Sequence, residues 1–396
     1  MFRYIPFIRY NYFIKSFCFL IACVPLSLSG QDKVVNKGLN NSLPYYIDIE
    51  RNINNIKTVN LSDIGTSLEY IPLETSPDLI IGTLNKVVLY NEHLFVSDNN
   101  QIFLFDSGGN FVRKIGQKGA GPGEYTSTNF YIDFHNDLLY VVAPRKVKCF
   151  DFDGDFLRSF DTDFISTQLI FPDPESLLFY NVNLMMPMQA DAIRYSWYIT
   201  DPNGKVISKI ESPAQGIKSP FVVPPNSPLY MYGSYAHFGE HWIDSLYYLV
   251  DGKPTLYASF NRGKMAMSPS DLSRNQNEKN GKSSIWVQDV YEDNLYIYVL
   301  INGLNNGNAC LFKKTNGETF MLSGTGFKND IDGGPDFWPK YFGNDNILVM
   351  YEDSYELINW RPSEQQNATL SQKSNFEEIK TQITENSNPV IIVLHR

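Results

Sequence analysis

The stretch LFDSGGNFVRKIGQKGAGPGEY, Leu104–Tyr125, decides the fold. Its first half is an apolar run, a turn through Asp106-Ser107-Gly108-Gly109-Asn110, and a second apolar run. Paired with the runs Lys86–Tyr90 and His93–Ser97 before it, it makes four short strands in about 30 residues, the β-meander from which propeller blades are built. The closing hairpin returns as CFDFDGDFLRSF (Cys149–Phe160) and YITDPNGKVISKI (Tyr198–Ile210). It is blurred in YYLVDGKPTLYASF (Tyr247–Phe260) and CLFKKTNGETFML (Cys310–Leu322). The turn glycines Gly109, Gly154, Gly204, Gly252 and Gly317 are 45, 50, 48 and 65 residues apart. Asp-Gly and Asn-Gly suit tight hairpins because the backbone there takes positive φ. Five at blade-length intervals point to radial repetition.

A further unit begins near Phe342, with NILVMYED and SYELINW read as its strand pair, giving six units. The 65-residue interval contains SPSDLSRNQNEKNGK (268–282), a polar insertion between blades. Either VIIVL (Val390–Leu394) or LEYIPL is expected to close the ring. Pro72, which cannot donate to a ladder, marks the latter as an edge strand or strand end. Ser374-Asn375-Phe376-Glu377 has the form of a capping box, and Phe376, Ile379 and Ile383 share one helical face. The expected fold is all-β: a six-bladed propeller of four-stranded antiparallel blades over 45–396, with a short C-terminal helix. Composition agrees. Hydrophobic residues are 43% and aromatics 14%, with 25 Tyr and 27 Phe, and rings pack well on pleated surfaces.

The first residues are of another kind. Arg3, Arg9 and Lys15 precede an apolar run, Phe17–Leu26, too short to span a bilayer. This is an export signal. Leu20-Ile21-Ala22-Cys23 fits a lipobox, which makes 1–22 the signal, Cys23 the lipidated residue and 23–44 a tether. Cleavage after Ser29 is the alternative, and Cys23 as a mere apolar residue of the signal stays open. Removing 1–22 leaves 30 basic against 43 acidic residues, a formal −13 in place of −10. That balance speaks against nucleic acid, whose phosphates demand a basic surface. Membrane contact is expected only through the lipid, and the protein is expected to be a monomer. Cys149 and Cys310 sit in strand-like runs without a CxxC or histidine companion, so neither zinc nor redox chemistry is indicated. They read as small buried hydrophobes, with a disulfide left open.

YIPLET (Tyr70–Thr75), the first hairpin, IGQKGAGPGEY (Ile115–Tyr125), IDGGPDFWP (Ile331–Pro339) and the terminal NPVIIV together resemble the six-bladed β-propeller lipoproteins of Bacteroidetes, relatives of NHL-type propellers. The resemblance runs in order over the whole mature chain. It implies six blades and an envelope location, and it implies no particular activity. The regular inward His and Asp ligands of NHL enzymes are missing, which puts a metal lyase in doubt.

Few residues suggest chemistry. Glycine-rich GQKGAGPGEY invites a phosphate, yet TSTNFYIDF after it reads as a strand, whereas phosphate loops open a helix. A rigid crossing between blades is the reading adopted. Asp330, Asp332 and Asp336 space carboxylates like a fragment of a calcium loop but lack the bidentate Glu of the full pattern. The competing reading is a turn that presents Phe337-Trp338-Pro339, so no cofactor is assigned. His237 and His241, four apart in a strand-like context, are expected at an interface or exposed. Met185, Met186 and Met188, and the Pro- and Tyr-rich 219–235, are candidate adaptable surfaces. Arg145, Tyr232, His237, Asp332, Asp336 and Trp338 are the ligand-binding candidates. No catalytic set and no metal set is assigned. The expected function is an exported envelope module that binds a glycan, peptide or protein. The alternatives are a hydrolase or lyase in the central channel, with or without a divalent metal, and a structural or sensory part of an envelope assembly.

Overall fold

Five antiparallel meanders and a sixth sheet drawn from both ends of the chain form a six-bladed β-propeller. The computed structural model describes residues 43–181, 194–212, 227–240, 243–266, 285–303, 309–343, 347–361 and 373–396. The export segment, Cys23, His241, the methionines at 185–188 and the insertion 268–282 lie outside them.

From the inner strand outward, blade 1 is Lys86–Tyr90, His93–Ser97, Ile102–Asp106 and Phe111–Ile115. Blade 2 is Phe130–Asp133, Leu138–Ala143, Lys146–Asp151 and Phe156–Asp161, and blade 3 is Ser166–Asp173, Ser176–Asn181, Tyr195–Thr200 and Val206–Glu211. Blade 4 is Leu229–Tyr232, Tyr235–Gly239, Ser245–Val250 and Lys253–Asn261. Blade 5 is Trp286–Glu292, Tyr296–Asn302, Ala309–Lys313 and Glu318–Leu322. Blade 6 is Tyr341–Phe342, Ile347–Glu352, Val390–His395 and, outermost, Ser67–Pro72. Both candidate closing strands are therefore used: Ile391 pairs with Ile71 and Val393 with Glu69. Pro72 ends the edge strand, where its missing N–H costs no ladder bond.

SYELINW does not form a strand. Ser354–Asn359 is a helix, and the real partner of Ile347–Glu352 is Val390–His395. A local apolar pattern of six residues did not separate helix from strand; the pairing that decided it lies at the chain's end. The helix Lys373–Gln382 is present, with Phe376, Ile379 and Ile383 buried against blades 5 and 6.

Six core clusters fill the six interfaces between blades. Each sheet thus buries both faces, which is why LLYVVA and SLLFYN read as continuous apolar runs. The turn glycines answer to two constraints. Gly109 has φ +84°, and a Cβ there would lie 2.4 Å from the Pro72 carbonyl oxygen of blade 6. Gly204, at φ +86°, would meet the Phe160 ring of blade 2 at 2.2 Å. These two hairpins lean on the preceding blade, so any side chain there is both strained and blocked.

The N-terminal segment runs around the rim. Tyr45–Asp48 adds a parallel strand outside blade 4, and Ile56–Lys57 adds one outside blade 5. Sequence at the rim matches this. The covered edges are apolar (Tyr257, Ala258 and Phe260; Phe320, Met321 and Leu322, all buried). The edges of blades 1–3 alternate and expose Lys114, Asp161 and Lys209, charges that discourage strand addition.

Closure predicts an asymmetry in urea unfolding. Ile391→Ala, at a fully buried position of the shared blade, should cost about 2–5 kcal/mol. Ile207→Ala, on an exposed edge, should stay within about 0.5 kcal/mol.

Candidate functional site at the central channel

Antiparallel order places the turns within the first and last strand pairs of each blade at one end of the ring. The turns between middle strands, and every crossing between blades, lie at the other end. Among the described residues that second face receives the crossings 73–85, 116–129 and 323–340 and the helices Ser354–Asn359 and Lys373–Gln382, whereas the first face carries tight turns such as 91–92, 201–205 and 251–252. Arg145, Asp332, Asp336 and Trp338 fall on the loop-bearing side. Tyr232 and His237 belong to the strand pair whose turn lies on the opposite face.

The channel between the inner strands is laced blade to blade. Lys86 Nζ donates to the Phe130 carbonyl at 2.7 Å, and the Tyr131 hydroxyl donates to the Thr167 carbonyl at 2.8 Å. The Gln168 amide and the Ser227 backbone exchange two bonds, at 3.0 and 2.6 Å. The Tyr230 hydroxyl donates to Glu292 at 3.0 Å, Tyr291 stacks on Phe342 at 4.7 Å, and the Tyr351 hydroxyl donates to the Leu84 carbonyl at 2.9 Å. These contacts run once around the ring.

Two ionisable groups stand out. The Lys86 ammonium lies 3.6 Å from the Tyr131 ring centroid, and burial lowers its pKa to about 7. Asp289, in the middle of the blade 5 inner strand, accepts from the Tyr291 hydroxyl at 2.6 Å and from the Val290 N–H at 2.9 Å. Burial raises its pKa to about 7, against the lowering effect of those two bonds. Both keep partial solvent access although protein surrounds them, as expected of groups lining a narrow channel. Neither has an ion-pair partner among the described residues. Blades 2 and 5 oppose each other across a six-fold ring, so Tyr131 and Asp289 stand on opposite sides of the channel. Tyr341 of blade 6 packs over the core of blades 1 and 2.

The sequence candidates divide into three groups. Asp332 is buried and accepts from the Tyr70 hydroxyl at 2.8 Å, Asn329 Nδ2 at 2.8 Å and the Gly334 N–H at 3.0 Å. Asp330 holds the Ser62 N–H and hydroxyl at 3.0 and 2.6 Å, and Asp336 faces Lys328 at 3.4 Å. These carboxylates diverge to separate partners, while Trp338 stacks on Phe327; the segment pins blade 5 to blade 6. Arg145 occupies a turn at φ +61° and donates to the Asp163 carbonyl at 3.0 Å.

The third group is Tyr232 and His237, and here the expectation of an exposed histidine is corrected: His237 lies at the interface of blades 4 and 5. His237 is 1% exposed, stacked on Tyr230 and Tyr248 and edge-on to Tyr257. Its Nδ1 bonds the Tyr235 carbonyl at 3.1 Å, and Nε2 has no partner among the described residues. Burial lowers its pKa to about 3. The surrounding polar network is largely satisfied: Glu292 accepts from Lys314, Tyr257 and Tyr230, and the Lys314 ammonium sits 3.9 Å over the Tyr232 ring. This is a buried brace between blades 4 and 5. Cys149 and Cys310 are free, buried thiols on blades 2 and 5, pushed up to about 11 and about 12 by burial.

The GQKGAGPGEY loop is a crossing between blades 1 and 2, bordered by clefts of about 440 and 460 Å³. Its anion-binding geometry is occupied from within. The Gly121 N–H donates to the Glu124 carboxylate at 2.8 Å and Gln117 Nε2 at 2.7 Å, holding that carboxyl below its ordinary range. Lys148 Nζ is enclosed by the carbonyls of Gly121, Pro122 and Glu124. The Tyr125 hydroxyl, bonded to Gln101, Ile102 and Ile115, anchors the loop to blade 1.

Six antiparallel blades closed into a ring define a six-bladed β-propeller protein. Residues 44–395 match the family described as a domain of unknown function (DUF4934), and the chain belongs to that family. A Bacteroides fragilis protein described as exported is similar in structure, with a TM-score of 0.67 and 19% identity over 89% of this chain and 99% of that one. A Bacteroides vulgatus member of the DUF4221 family (TM-score 0.44, 12% identity, 84% and 97% covered) and a Staphylococcus aureus virginiamycin B lyase (0.40, 9%, 83% and 99%) are more distant. No curated protein matches the chain.

The channel residues were not singled out by sequence. Lys86 opens an ordinary strand and Asp289 breaks one (WVQDVYE); a charge inside an inner strand was the available signal. The pH dependence of stability tests their burial. The folded Asp289 keeps its proton to about pH 7 whereas the unfolded chain releases it near 4, so its ionisation costs stability increasingly as pH rises between those values. Asp289→Asn should therefore stabilise at pH 8, on the order of 1–3 kcal/mol, and the gain should vanish near pH 4. Lys86→Met has the opposite sign, with a gain at pH 6 that disappears above pH 10. The brace gives a third profile. His237 is neutral when folded between pH 3 and 6.5 while the unfolded chain takes up a proton, so stability falls on acidification through that window. In urea unfolding His237→Phe should flatten that fall.

Proposed function

We propose that the protein is an exported, envelope-resident propeller that binds a protein or glycan partner through its loop-bearing face. The observation that carries this reading is the segregation of the long connections to one end of the ring. Binding residues concentrate on loops held by a rigid scaffold, and here six mutually stitched blades form that scaffold. The basic and apolar N-terminal segment supports export, and the exported description of the Bacteroides fragilis neighbour agrees with it. Cys23 is the proposed lipid attachment point, with 23–44 as the tether. Chemistry in the channel is the second reading, and one specific observation favours it: Lys86 and Asp289 are both shifted toward neutrality, the range in which acid–base groups work.

Photo-crosslinking in intact cells tests the face. A reactive amino acid at Arg145 should give a discrete adduct, and one at Asp251, on the tight-turn face, should not. Adducts from both or from neither would contradict the proposal. A fatty-acid analogue should label the wild-type chain and fail to label Cys23→Ser; equal labelling of the two would remove the lipid assignment.

A further inference from the structure

The channel carries opposite charges on opposite sides. Lys86 reaches from blade 1 onto blade 2, and Asp289 stands on blade 5, across the ring from blade 2. Each retains unused bonding capacity. An ammonium has three donors, and among the described residues one goes to the Phe130 carbonyl while the Tyr131 ring takes a share of the charge. A carboxylate has about four acceptor positions, and among the described residues Asp289 uses two, on the Tyr291 hydroxyl and the Val290 N–H. Of the aromatic walls, Tyr131 carries Lys86 on one face and Tyr291 is stacked on Phe342. The site offers one cation and one anion.

We propose that the channel between Lys86 and Asp289 is a binding site for a small zwitterion, an amino acid or a short peptide with free termini. Its carboxylate pairs with Lys86 and its ammonium with Asp289. The physical reason is desolvation. An unpaired buried charge costs free energy, and a partner within hydrogen-bonding distance recovers part of that cost. A ligand bearing only an anion relieves Lys86 and leaves Asp289 unpaired, and a simple cation does the reverse. A zwitterion relieves both at once, so its affinity should exceed that of either half. Tyr291 acts as a positioning residue: its hydroxyl donates to Asp289 Oδ2 and fixes the carboxylate. The inference is independent of partner binding on the loop-bearing face, because the site lies inside the ring.

Isothermal titration of the purified mature chain at pH 7 tests it. The probes are glycine, diglycine and triglycine, which vary the separation of the charges, beside acetate, methylammonium and neutral acetamide. At least one of the three zwitterions should bind at least tenfold more tightly than acetate or methylammonium, with acetamide inert. Lys86→Met and Asp289→Asn should each weaken that zwitterion at least tenfold while circular dichroism and melting stay cooperative. Tyr291→Phe should give a smaller loss. Should either substitution fail to fold, Lys86→Gln and Asp289→Ser take its place. The proposal is overturned if no zwitterion binds, if acetate binds as well as the best zwitterion, or if the folded variants bind unchanged. Crosslinking at Arg145 in a channel variant separates the two readings, since it reports the outer face alone.

Discussion

Everything in this molecule depends on the pairing of Val390–His395 with Ser67–Pro72. Five of the six blades are local meanders, each made from four strands consecutive in the chain. The sixth is made from segments more than 300 residues apart, and only it joins the first blade to the last. Without it the outer faces of blades 1 and 5 would lose their neighbours, and two of the six interblade cores would open. The seal is apolar and complete, with Ile391, Ile392, Val393 and Leu394 all buried. Asn388 fastens its approach by bonds to the Ile81 N–H and to the carbonyls of Glu74 and Leu79.

A ring solves the edge problem at its centre but leaves six outer edges. This chain treats them in two ways. Blades 4 and 5 have apolar outer strands, which the N-terminal segment covers in parallel register on its way to blade 6. Blades 1 to 3 have no such cover, and each outer strand exposes one large apolar residue (Val112, Leu157 or Ile207) beside a charged one (Lys114, Asp161 or Lys209). The same segment therefore closes the ring and masks the edges most prone to association.

How much of this was legible depended on range. The hairpins were legible because their Asp and Gly residues answer to local geometry. Asp106, Asp151 and Asp201 each accept backbone N–H groups within their own turn. Closure was half legible: both strands were visible as candidates, but which segments pair is a long-range fact. The misread SYELINW shows the same limit, since its helical state follows from a pairing nearly 40 residues away. Asp332, Asp336 and Trp338 stand out in the sequence by residue type alone; in the structure they tie blade 5 to blade 6, and His237 is buried between blades 4 and 5. Lys86 and Asp289 matter through position across the axis, and no local pattern encodes which blade faces which. The glycine loop, distinctive as sequence, already holds its anion in Glu124 and reads as architecture.

Hydrogen exchange on the full chain tests the central claim of a ring closed by its two ends. The amides of Val390–Leu394 and of the paired Leu68–Ile71 should exchange only through global unfolding, at the same slow rate as the inner blades. Exchange of either segment ahead of the blades, with the rest still protected, would contradict closure as the constraint on which the structure depends.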